Sequence, residues 1–228
     1  MYAEASNSTW LLLLNTAVFP FIATVLFTVV FSKLALRIRS LGLLIGFLVG
    51  LKLIYVSLSF PPAQALDYLL LSGVLGGGLS IANQQTLPRK VAMFFALALI
   101  SFYFLLQPVL RHGAAYSTLL WSLACALLVS VIYLIHTHQA ETANKPISLI
   151  SLILVAGASA PIVGIGGSLL ISQLLGAIAA SLLAFLIVSY VFRQASDNGT
   201  PLALFILGGL LAQAHILADI PLITMAAM

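Results

Sequence analysis

Lys52, inside the apolar run Leu41–Phe60, and the pair His215 and Asp219 are the residues of this chain whose types and spacing could do chemistry. A run of that length can cross a bilayer, which takes roughly 20 apolar residues as a helix. Lys52 stands about 11 residues into it, so at about 1.5 Å per residue its Cα comes on the order of 16 Å deep, near the middle of the hydrocarbon. An ammonium at that depth needs a reason, a charged partner or a transport site, unless its stem snorkels along Tyr55 to the interface and does no chemistry. Tyr55 and Ser59 lie on the Lys52 face.

His215 and Asp219 are four residues apart and share one helix face, continuing the small stripe Gly208–Ala212. Counted from Pro201, His215 comes roughly 21 Å and Asp219 roughly 27 Å along the helix. Lys52 can reach towards that level. The expected site is therefore a buried polar cluster of Lys52, Tyr55, His215 and Asp219, because a buried charge is tolerated when it is paired. The alternative leaves Asp219 at the outer interface, outside any site.

Other chemistries find no residues. A haem needs facing axial ligands, and His215 is the one histidine clearly within an apolar span. His136 and His138 are two apart at a helix end, a spacing more typical of solvated histidines than of a metal site. Cys125 is the single cysteine, so the chain forms no internal disulfide and no thiolate metal cluster. No serine sits in a nucleophile elbow, and Gly164–Ile165–Gly166–Gly167 lacks the lysine and strand context of a phosphate loop. No catalytic residue, cofactor or metal is expected.

The elements that carry these residues follow from composition. Hydrophobic residues make up 62% and charged residues 6% of the 228 residues, with a mean hydropathy of +1.20. Soluble domains carry roughly a quarter charged residues. The chain reads as an all-α, polytopic transmembrane helix bundle forming a single domain. About eight spans are expected, approximately 10–31, 41–60, 67–83, 91–110, 117–136, 147–163, 168–192 and 201–221. A seven-span alternative makes Ile147–Phe192 one crossing with a re-entrant segment broken at Pro161.

Orientation follows from the basic residues. With the N-terminus outside, the inner connections collect Lys33, Arg37, Arg39, Arg89, Lys90, Lys145 and Arg193, and the outer ones hold only Arg111. The positive-inside rule then puts both termini on the outer side. The net charge of +4 is dispersed as a topology signal and forms no basic patch for nucleic acid. The opening segment carries Glu4 and no basic residue, which is unlike a secretory signal, and the first span is expected to be retained.

Two stripes of small residues predict close helix contacts. Gly42, Gly46 and Gly50 recur every four positions, and with Lys52 on another face they suggest that the second span is central in the bundle. Ser168, Ser172, Gly176, Ala180 and Ala184 do the same in the seventh span. Spans two and eight also share a faint pattern when Lys52 is aligned with His215, which would fit an internal duplication.

The functional expectation is a non-catalytic accessory or structural subunit of a larger membrane complex in a bacterial inner membrane. Its partners would be the lipid bilayer and other membrane subunits or further copies of itself. The alternative is a small solute or ion transporter or channel built around Lys52, His215 and Asp219. A transporter requires those residues to face a water-filled cavity, whereas a subunit requires a dry interior.

Overall fold

The structure, a computed structural model, describes residues 10–34, 38–59, 62, 64–81, 87–108, 115–142, 146–192 and 199–217. Among these residues there are eight helices and no strands. They are α1 (Trp10–Leu34), α2 (Ser40–Ile54), α3 (Tyr68–Ile81), α4 (Leu87–Leu106), α5 (Ala115–Thr142), α6 (Pro146–Ile165), α7 (Leu169–Val191) and α8 (Thr200–Leu217). Five of them, α1 and α4 to α7, are long and apolar enough to cross a membrane, as in a multi-pass membrane protein.

The other three are short. At 15, 14 and 18 residues, α2, α3 and α8 measure about 22, 21 and 27 Å, less than the roughly 30 Å of hydrocarbon in a bilayer. For α2 this corrects the expected run to Phe60. The helix stops because Tyr55 leaves helical geometry (φ −109°, ψ 83°), while distant side chains hold the residues beyond it. The Asp67 carboxylate accepts hydrogen bonds from the Ser59 amide and hydroxyl, a local alternative to further helix. Lys52 consequently occupies the last turn of α2, not the middle of a long span.

Glycine spacing sets the α1–α2 contact. A Cβ on Gly42 would fall 2.7 Å from Thr28 Cα, one on Gly46 2.9 Å from the Pro20 carbonyl oxygen, and one on Gly50 2.8 Å from Pro20 Cγ. The pairing is antiparallel and in register, Gly42 on Thr28, Gly46 on Thr24 and Gly50 on Pro20. The buried Thr24 hydroxyl is satisfied within α1, donating back to the Pro20 carbonyl. Gly50 also approaches Ala177 of α7, so the seam lies where α1, α2 and α7 meet.

The central helix is α8, not α2. Leu202, Ala203, Leu204, Phe205, Ile206 and Leu207 are all buried in succession, which means every face of α8 is covered. α3 runs beside it, with Gly76 against the Leu202 backbone. Phe102 and Val129 close over Gly208, and Leu69 and Leu105 close over Gly209. Phe94 stacks on Tyr133 at 4.2 Å and meets Phe205 edge-on at 5.0 Å, locking α4, α5 and α8 together. α2, by contrast, keeps one arc uncovered, on which Lys52 and Leu53 are exposed.

Ile147–Phe192 contains two helices, α6 and α7, which pack closely along each other. α6 passes through Pro161 without ending. The reversal comes later, at Gly166–Gly167, where Gly167 takes φ 108°, a left-handed value that glycine adopts without a Cβ penalty. Ser168 then caps α7, its hydroxyl accepting from the Ile171 amide. Along the small-residue stripe of α7, Ser172 meets Gly164 of α6, but a Cβ on Gly176 would find nothing within 4 Å.

Candidate functional site

Lys52 is exposed on the outer arc of α2, and its Nζ donates to the Val56 carbonyl at 3.0 Å. That carbonyl lies just past the helix end, where backbone acceptors lack helical partners and the dipole favours a cation. Tyr55 is buried, and its hydroxyl donates to Gln64 Oε1 at 2.6 Å. His215 is half-buried, with its ring 5.6 Å from that of Trp121 on α5. Asp219 lies outside the described residues.

Lys52 and His215, two members of the expected cluster, are carried on helices that α3 separates. α3 stands between α2 and α8: a Cβ on Gly73 would touch Leu44 of α2 at 2.7 Å and approach Ile206 of α8 at 3.8 Å. Lys52 therefore faces outwards from one side of the bundle, and His215 packs on α5 at another. Helical depth alone made them look compatible, because depth says nothing about which neighbour a helix has.

What the same end of the bundle does contain is a buried polar lock built around Asp67. Asp67 is 2% exposed, and besides the two bonds from Ser59 its Oδ2 accepts from the Gln64 amide at 3.0 Å. Gln64 in turn receives the Tyr55 hydroxyl. From α8, the fully buried Gln213 donates through Nε2 to the Ala65 carbonyl at 2.9 Å. One turn further into α3, Ser72 and Ser101 share a hydrogen bond of 2.6 Å. Among the described residues between α2 and α3, the Ser59 and Gln64 amides and the Ala65 carbonyl find side-chain partners inside the protein, as non-helical backbone at membrane depth requires.

Asp67, Gln64 and Gln213 were not expected to matter. The signal for Gln213 was present, an amide in the apolar run Leu210–Ala214 and as unusual there as His215. For Asp67 the sequence showed only an acid near a helix start, where a surface role is the ordinary reading.

Chemically the lock offers little reactivity. The Asp67 carboxylate is occupied by donors, the Ser59 hydroxyl among them. Among the described residues no group of three or more His, Cys, Asp or Glu is placed to hold a metal ion. His136 and His138 lie within α5, which continues to Thr142. Two residues apart on a helix puts them about 200° apart, on nearly opposite faces, with His136 buried and His138 exposed.

At the other end of the bundle Arg39 is also buried, its guanidinium 5.1 Å from the centre of the Phe185 ring on α7. One of the basic residues expected to mark orientation is therefore also a packing element. No protein-family model, curated protein or solved structure matches this chain, so the functional reading rests on its own residues.

Proposed function

We propose that the chain is a non-catalytic integral subunit, accessory or structural, of a larger membrane protein assembly. The observation that carries this reading is the middle of the bundle: α8 is covered on every face by close-packed apolar side chains, and the Lys52 ammonium that a solute path would need lies at the periphery, bonded to a backbone carbonyl. The placement of Lys52 and His215 on separate sides of α3 weakens the transporter alternative, which needs them to line one cavity. In this reading the chain crosses a bacterial inner membrane eight times with both termini outside. The support for that is the even number of helices and the gathering of basic residues at one end.

The test is gentle extraction from native membrane, followed by sizing and mass spectrometry of what travels with the chain. Co-migration of a partner protein in fixed stoichiometry is expected. A chain that runs alone or only with copies of itself overturns the accessory-subunit reading.

A further inference from the structure

The uncovered arc of α2 carries both a charge and a groove. Between α1 and α2 lies an open groove of about 280 Å³, lined by Phe19, Ile22, Leu26 and Phe27 of α1 and by Val49 and Leu53 of α2. All are apolar. Lys52 stands between the two α2 residues in sequence, about 60° around the helix from Val49 and about 100° from Leu53, and is exposed. No carboxylate among the described residues pairs with it, and the Val56 carbonyl takes one of its ammonium's three donors.

The register of α1 against α2 fixes its level. Gly46 opposite Thr24 and Gly50 opposite Pro20 bring Lys52 level with Val18 of the antiparallel helix. Val18 is eight residues along α1 from Trp10, so Lys52 sits about 12 Å deeper into the bundle than Trp10. At that same level α1 widens into a π-helical turn, Leu14–Val18, and α2 comes to its end. A lipid-facing ammonium at that depth is costly unless an anion meets it. The apolar groove, which runs from Leu53, the sequence neighbour of Lys52, along α1 to Phe27, suits an acyl chain.

We propose that this face is a binding site for an anionic phospholipid of the membrane leaflet on the Lys52 side, with its phosphate on the Lys52 ammonium and an acyl chain in the α1–α2 groove. Lysine binds phosphate as a point charge, and basic residues beside apolar clefts between membrane helices recognise anionic head groups. Ordinary annular lipid would fill the groove without distinguishing head groups.

The experiment is native mass spectrometry of the full chain released from nanodiscs holding equal phosphatidylglycerol and phosphatidylcholine. Wild-type protein should retain phosphatidylglycerol in preference to phosphatidylcholine. Lys52→Gln should lower phosphatidylglycerol retention about tenfold, the loss of one charge-assisted contact. Lys33→Gln, the same charge change at the opposite end of α1, should leave it unchanged. Val49→Trp, which fills the groove and keeps the charge, should reduce retention while the sizing profile stays that of wild type. Equal retention of the two lipids by the wild type, or equal phosphatidylglycerol retention by wild type and Lys52→Gln, means annular lipid only and overturns the proposal.

Discussion

Asp67 is the residue whose loss should be felt most. Its buried carboxylate holds the Ser59 amide, the Ser59 hydroxyl and the Gln64 amide, and the Gln64 side chain in turn accepts the Tyr55 hydroxyl. Hydrogen bonds to a charged group contribute more than neutral ones, and orphaned buried donors are costly. Asp67→Ala is therefore expected to destabilise the protein by about 2–3 kcal/mol, read as a lowered midpoint of thermal unfolding in detergent. Asp67→Asn, which keeps an acceptor oxygen, should lose less. Gln213→Leu, which strips the Ala65 carbonyl of its donor from α8, should lower the same midpoint by about 1 kcal/mol equivalent. Lys52→Gln should leave it nearly unchanged, because that side chain is exposed and makes one backbone contact.

Among the helices, α1 and α2 depend on close approach at Gly46, whereas Gly78 of α3 faces open space. Gly46→Ala would place a methyl 2.9 Å from the Pro20 carbonyl oxygen and against Thr24, so α2 must move away from α1, at a cost of about 1–3 kcal/mol. Gly78→Ala on α3 meets nothing within 4 Å and should be neutral or stabilising by up to about 1 kcal/mol, the helix propensity difference. Comparing the unfolding midpoints of the two variants separates packing from propensity, since the chemical change is identical. Equal midpoints would mean that the α1–α2 seam is not tight. The turn between α6 and α7 makes a third case: there Gly167 is needed for its φ of 108° and not for space.

For the molecule as a whole, the proposed eight crossings with both termini outside have a topological consequence. Cysteines introduced singly into a Cys125→Ser background near residues 6 and 224 should react with a membrane-impermeant maleimide from the same, outer, face of intact cells. One introduced at position 144 should react only after permeabilisation. Opposite accessibility of the two ends would instead support an odd number of crossings. The end of α2 and the start of α3 meet at one side of the bundle, where the Asp67 lock ties them together and Gln213 reaches in from α8.

Composition and spacing determined the class of the protein and the positions of its helices, because hydropathy and helical periodicity are local properties that each stretch carries by itself. The glycine seam of Gly42, Gly46 and Gly50 was legible for the same reason, as a stripe on one helix. Which helix is central, where α2 stops and whether Lys52 meets His215 were decided by the tertiary structure. Each depends on contacts that no single helix carries by itself: α3 inserted between α2 and α8, Asp67 holding Ser59 across the connection, and Gln213 reaching Ala65 across 148 residues. Depth along a helix can be counted from sequence, but the direction in which a side chain finds its partner is set only when the helices pack.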